Sequence, residues 1–492
     1  MRSCGILLHI SSLPEEYGIG TFGNAAYEFV DFLKASNQHY WQILPLGPTG
    51  FGDSPYQAFS TFAGNPYFID LNMLCEDNLL DKSYIDSFSW YTQPDKVNYP
   101  LLYENRFKVL HTAYENFKKS PAQGFKVFCQ EESCWLDDYS IYMSLNMLTK
   151  TSWHSLPAPL SHRDASALLK YSCENQDEIQ FWKFLQFEFF TQWYALKSYA
   201  NKNGVKIMGD LPIYVSDDSS DVWANPDLFQ LDEDLMPSLI AGVPPDAFSC
   251  DGQMWGNPVY RWEQHKLTNY DWWTRRLACA SKMFDVVRID HFRGFDSFYA
   301  IPMGDKDARN GHWLQGPGID FFNHIKEALG DVSIIAEDLG VITPDVKKLV
   351  NDSGYPGMKV LEFAFEANPY ENDGEYLPHS IPYNSIVYLG THDNLTALQW
   401  WKSNSQANKA FCLDYMAQDN DDNFVDKFIR LAFATCSKLC IITMQDWLNL
   451  DGDARMNTPS TTEGNWQWRC DKGYFTPELS QKIRHITEIY RR

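Results

Sequence analysis

The stretch Val286-Val-Arg-Ile-Asp-His-Phe-Arg-Gly-Phe295 sets two arginines, an aspartate and a histidine into what otherwise reads as a core strand. Burying an unpaired charge is costly, so these groups need partners or a task. Side chains alternate along a strand, which places Arg288 and Asp290 on one face and Val287 and Ile289 on the other. A strand that is apolar toward covering helices and charged at its C-terminal end fits a closed parallel barrel, whose mouth gathers such ends. Arg288 beside Asp290 is expected to lower the carboxylate's pKa and keep it ionised. The bland alternative is a buried ion pair that only plugs the barrel.

Seven further apolar runs share this character: 5–10, 40–46, 205–211, 332–337, 358–365, 385–391 and 439–445. Near-continuous apolar runs are expected of parallel strands covered by helices. Helical patterns fill the gaps, as at 25–34, with Phe29, Phe32 and Leu33 on one stripe, and at 181–197. Eight such units predict an α/β fold, a (β/α)8 TIM barrel with inserted, largely helical subdomains. A doubly wound open sheet is the structural alternative. Residues 1–492 read as a single catalytic barrel. Far more chain separates the second and third runs than one crossover helix needs, so 65–180 reads as an inserted helical subdomain. Residues 212–284, rich in Pro, Gly, Trp and Asp, read as a loop-rich insert after the third strand.

The chain has 492 residues and is 44% hydrophobic, enough for a large core. Lys plus Arg number 41 and Asp plus Glu 64, a net charge of −23. Such a surface repels nucleic acid and anionic membranes. Eleven scattered cysteines without a Cys-x-x-Cys pair read as reduced, mostly buried thiols of a cytoplasmic protein. No His-x-x-x-His pair suggests a structural zinc site, and no apolar run is long enough to span a bilayer.

Polar residues close the apolar runs: Asp210, Asp290, Glu337, His392-Asp393 and Gln445-Asp446. A single acidic strand end is readily a helix cap; several on different strands are harder to explain so. Glu337 directly follows Ile-Ile-Ala, a setting expected to desolvate it and raise its pKa. One ionised and one protonated carboxyl is the pairing that glycoside chemistry requires. His291, His392 and Asp393 are candidates to bond sugar hydroxyls around them. Aromatic residues make up 15% of the chain, and flat rings stack on sugar faces. Those of 181–193 fall at helical spacing and read as core; Tyr56, Phe248, Trp255 and Trp466 lie in loops and are the candidates for sugar contact. Gly18-Ile-Gly-Thr-Phe-Gly23 formally fits a dinucleotide-binding loop, but Pro14 intervenes after the first strand and no acidic ribose ligand ends the next.

Several long motifs surround these residues. They are Leu44-Pro-Leu-Gly-Pro-Thr-Gly-Phe-Gly-Asp-Ser-Pro-Tyr56, Gly209-Asp-Leu-Pro-Ile-Tyr-Val215, Gly242-Val-Pro-Pro-Asp-Ala-Phe248 with Gly252-Gln-Met-Trp-Gly-Asn-Pro258, Arg288-Ile-Asp-His-Phe-Arg-Gly294, Ala336-Glu-Asp-Leu-Gly340, Gly390-Thr-His-Asp-Asn394 and Ala454-Arg-Met-Asn-Thr-Pro459. With them the chain resembles, over essentially its whole length, the 4-α-glucanotransferases called amylomaltases or disproportionating enzymes, glycoside hydrolase family 77.

The resemblance implies a TIM barrel with inserted subdomains. It also implies transfer of α-1,4-glucan segments by a retaining double displacement through a covalent glucosyl-enzyme. By motif position, it makes Asp290 the nucleophile, Glu337 the general acid/base and Asp393 the transition-state stabiliser. Arg288, His392, Asp210 and His291 match positions that hold the ring next to the scissile bond, and Ser54 and Tyr56 match contacts near it. Phe248, Gln253 and Trp255 match a loop that covers the cleft, and Asn457 matches a further substrate contact. Ala247 stands where some relatives carry tyrosine, so no acceptor contact is assigned there. The implied partners are malto-oligosaccharides and glucose, with no cofactor, metal, nucleic acid or membrane; a monomer or weak homodimer is expected. The rival readings are an α-glucan hydrolase and a catalytically idle glycan-binding paralogue, which would lack one of the three carboxylates.

Overall fold

The computed structural model describes residues 2–50, 52–245, 250–366 and 374–492. Eight parallel strands form its central sheet: β1 (Ser3–Leu7), β2 (Tyr40–Gln42), β3 (Lys206–Leu211), β4 (Val286–Ile289), β5 (Ile334–Ala336), β6 (Gly357–Val360), β7 (Ser385–Tyr388) and β8 (Leu439–Thr443). The order around the sheet is β6-β7-β8-β1-β2-β3-β4-β5, so the first and last strands pair, Cys4 opposite Cys440. The seam between β5 and β6 is bridged where the Ala336 N–H donates to the Pro356 carbonyl at 3.0 Å. The fold is thus the expected (β/α)8 barrel.

Alternation along each strand divides the core in two. Leu7, Met208, Ile335, Met358, Val360, Ile386, Tyr388, Leu439 and Ile441 pack together inside the barrel. Ile6, Val287, Ile289, Val387 and Ile442 belong to the larger core under the helices. Several strands are shorter than the apolar runs, for local reasons. β8 stops at Thr443 because its hydroxyl accepts the Asp446 N–H at 3.2 Å and caps the short helix Met444–Trp447. The run at 358–365 pairs only to Val360, and Glu362–Phe365 coils into a 3-10 turn.

Between β2 and β3 the chain is mostly helical. Its longest helix, Gln176–Lys202, has 27 residues and buries Phe181, Trp182, Phe184, Leu185, Phe189 and Trp193. It lies against Ser133–Thr149 and against Asn24–Ala35, the helix that follows β1. A four-stranded antiparallel sheet stands over one side of the mouth, ordered Gln253–Pro258, Leu239–Val243, Ser297–Pro302, His312–Gln315. Two of these strands come from after β4, beyond the 212–284 stretch.

The glycines of 18–23 serve packing. A side chain at Gly20 would strike the Ile10 carbonyl, and one at Gly23, which starts the helix Asn24–Ala35, would strike the Asp70 carboxylate. The cysteines correct an expectation. All eleven are free, but Cys4, Cys412, Cys440 and Cys470 alone are buried, while Cys134, Cys173, Cys250 and Cys436 are exposed. Cysteine favours the core, but composition does not say which of the eleven are held there. No helix among the described residues is long and apolar enough to cross a membrane.

Candidate active site

Strand register builds the floor of the site. Asp210 of β3 lies opposite Arg288 of β4, both pointing into the barrel mouth. Arg288 Nη1 donates to both Asp210 oxygens, at 2.8 and 2.6 Å, and Nη2 lies 3.0 Å from Asp290 Oδ1. The Tyr56 hydroxyl donates to Asp210 Oδ2 at 2.8 Å. Burial pushes the Tyr56 pKa well above its usual value, so it keeps the proton it donates.

Asp290 and Glu337 leave adjacent strands side by side. The Glu337 N–H donates to Ile289 O at 3.1 Å, and its carboxylate accepts the N–H groups of His291 (2.7 Å) and Leu339 (3.0 Å). His291 reaches this position with φ 49°, a left-handed turn at the end of β4. Burial raises the Glu337 pKa, as its apolar lead-in predicts; Arg288 and the two amides oppose the rise.

Asp290 departs from expectation. Burial pushes its carboxyl up to about 8; Arg288 opposes this, while Glu337, Asp210 and Asp393 add to it. Arg288 lowers the Asp290 pKa, as expected, but the guanidinium is shared, gives Asp210 the shorter contacts and does not offset the burial. Two carboxyls in one pocket titrate as a pair, and burial pushes both toward the protonated form. Asp290 still opens to the cleft, with 29% of its side chain exposed.

Asp393 completes the rim. Its Oδ1 accepts Asn457 Nδ2 at 2.6 Å and lies 3.3 Å from His392 Nε2. His392 is buried, which lowers its pKa, and it stacks on Tyr56 at 5.3 Å between ring centres. His291, its pKa pushed down to about 3 by burial, meets Trp255 edge-on at 4.8 Å. Both imidazoles are neutral at pH 7, and each can donate one hydrogen bond and accept one.

One cleft of about 270 Å³ is lined by Ser54, Tyr56, Gln253, Trp255, Asp290, Asp393 and Asn457 together. Ser54 accepts the Tyr56 N–H at 3.3 Å, and Gln253 Oε1 accepts Trp255 Nε1 at 3.2 Å. Trp466 lines the cleft but is 5% exposed, packed behind Tyr56 and His392, and offers little face to a ligand. Phe248 and Ala247 lie outside the described residues.

One supporting residue of the cleft escaped the sequence reading. Gln57 Nε2 donates to the Trp255 carbonyl at 3.1 Å and to Asn257 Oδ1 at 2.9 Å, pinning the strand that carries Trp255. Gln57 directly follows the Ser-Pro-Tyr motif, which is the only signal it carried.

This geometry has known counterparts. A family model described as 4-alpha-glucanotransferase matches residues 8–474. A 4-alpha-glucanotransferase of Clostridium butyricum is 46% identical over 488 residues, 99% of this chain and 100% of that protein. One from Streptococcus pneumoniae is 45% identical over 495 residues, covering 100% of this chain and 97% of its own. The structure of an amylomaltase from Streptococcus agalactiae in complex with acarbose matches with a TM-score of 0.97 at 41% identity, each chain covered in full.

Proposed function

Because the chain belongs to the family of 4-alpha-glucanotransferases, we propose that Asp290, Glu337 and Asp393 carry its transfer chemistry. The enzyme acts on α-1,4-glucans. The division of labour among the three carboxylates is our reading, and one observation carries it: the Glu337 carboxylate is bonded at 2.7 Å to the amide that immediately follows Asp290.

The reaction draws on the form in which the shared proton sits on Glu337, while Asp290, in contact with Arg288, is ionised. Glu337 gives that proton to the glycosidic oxygen as Asp290 attacks the anomeric carbon. The glycosidic bond breaks, a glucosyl ester forms on Asp290, and the reducing-side fragment leaves as an alcohol. Glu337, now a base, takes the proton of an acceptor 4-hydroxyl, whose oxygen displaces Asp290 and restores the α-linkage. Asp393, held by Asn457, stabilises the oxocarbenium-like transition state. Arg288, Asp210, His291 and His392 hold the reacting ring. Ser54 and Tyr56 contact it nearby, and Gln253 and Trp255 cover the cleft against water. Retention in two steps requires the Asp290 and Glu337 carboxyls to stand about 5–5.5 Å apart.

The proposed donors are malto-oligosaccharides and the acceptors glucose or malto-oligosaccharides, within maltodextrin, starch or glycogen metabolism. We place the enzyme in the cytoplasm as a monomer or weak homodimer, with no nucleic-acid or membrane partner. The eleven free thiols support the cytoplasm, and the acidic charge supports the absence of a nucleic-acid partner. The stretches 65–180 and 212–284 are proposed as its inserted subdomains.

Incubation with maltotriose tests the reading. Longer and shorter oligomers with released glucose, formed with the α-configuration, support it. Shortening alone, or inversion, overturns it.

A further inference from the structure

Asp393 sits in a loop, and its position is set from two sides. Within the loop, Asn394 Oδ1 accepts both the N–H and the hydroxyl of Thr391 at 2.9 Å, which fixes the local turn. Across the mouth, Arg455 supplies the second hold. Its Nε donates to the Asn457 carbonyl at 2.7 Å and its Nη2 donates to the Asp393 carbonyl at 2.7 Å. The Asn457 N–H donates to the His392 carbonyl at 3.1 Å, and Asn457 Nδ2 reaches Asp393 Oδ1 at 2.6 Å.

These four bonds close a ring. A guanidinium presents its donors in a rigid planar fork, so the two carbonyls are fixed relative to each other. Fixing them aims the Asn457 amide at Asp393 Oδ1. A lysine in the same place keeps the charge but has no planar fork to fix the two carbonyls relative to each other.

We propose that Arg455 is a positioning residue for the transfer reaction, acting through Asn457 to hold Asp393 in its working orientation. The inference rests on the reading of Asp393 as the transition-state stabiliser. It goes beyond that reading by making the Asp393–Asn457 contact depend on a residue one step further from the sugar.

A double-mutant cycle tests it. Arg455→Ala, Asn457→Ala and the double variant are compared on maltotriose by glucose release, at a temperature where circular dichroism shows each folded. Arg455→Ala is expected to lower kcat by about 10²-fold with KM little changed, the cost of a small misplacement of a reacting group. The double variant is expected within about threefold of the worse single, because both changes break one unit. Arg455→Lys is expected to fall between wild type and Arg455→Ala, and it carries the cycle if the alanine variant does not fold. Losses that multiply in the double variant, or an unchanged kcat in either folded Arg455 variant, overturn the inference. Asp393→Asn separates it from the reading beneath. If that variant keeps full turnover, the reading of Asp393 fails; if it is inactive while the losses multiply, only the role of Arg455 fails.

Discussion

Arg288 bonds Asp210 more closely than Asp290: both Asp210 oxygens lie 2.6–2.8 Å from Nη1, against 3.0 Å from Nη2 to Asp290. The cation that the sequence assigns to the nucleophile is chiefly engaged with the neighbouring strand. Asp210→Asn removes a negative charge near Asp290 and leaves the guanidinium to it. The rising, acidic limb of the kcat/KM profile reports the first proton leaving the Asp290–Glu337 pair, so it is expected to move to lower pH. A limb that stays or moves up would contradict the shared-cation account.

The raised Asp290 pKa has a consequence for stability. The folded state binds the proton of the Asp290–Glu337 pair more tightly than the unfolded chain, so the wild type loses stability as pH rises from about 4 toward about 8. Asp290→Asn is neutral at every pH. Relative to wild type, its advantage is expected to grow by roughly 1 kcal/mol or more between pH 5 and pH 8. Urea unfolding at the two pH values measures the difference, and a gain confined to pH 5 would refute it.

Glu337→Gln keeps the shape of the side chain but cannot pass a proton. Transfer from maltotriose is expected to fall by roughly 10²–10⁴-fold. A donor with a good leaving group, such as an aryl maltoside, is expected to retain a much faster first step, because that oxygen needs no proton. Equal losses on both donors would remove Glu337 from the acid role.

Gly390 carries no chemistry, yet a Cβ there would meet Asn394 Cβ and Glu362 Oε1 at 2.8 Å each. Gly390→Ala is therefore expected to displace the turn that carries His392 and Asp393. A loss of about 1–3 kcal/mol in stability should accompany a drop in kcat. Thermal melts and maltotriose turnover measure both; wild-type values in both would show that the turn is softer than its packing indicates.

Near-continuous apolar runs made the barrel legible, because strands covered by helices and packed within leave an uninterrupted signal in eight places. Strand ends were read too long where one hydroxyl, that of Thr443, turns the chain into a helix; a cap of that kind is a single-residue event inside an apolar run. Among site residues, the acidic strand ends were visible by position. The partition of Arg288 was not, because it depends on the register between β3 and β4, which no local pattern encodes. Gln57 and Arg455 were missed for a related reason. Each acts on backbone carbonyls of segments distant in sequence or in loops, and a carbonyl has no residue type to betray it.

Asp210, Asp290, Glu337 and Asp393 converge on a mouth where Arg288 is their one arginine or lysine ion-pair partner among the described residues. A neutral glucan leaves that imbalance as it finds it. The missing positive charge appears when the glycosidic bond stretches and the anomeric carbon becomes cationic. The resting site is thus short of the one charge that its own reaction creates. An inhibitor carrying a permanent ammonium at that carbon should bind ahead of the neutral sugar it imitates.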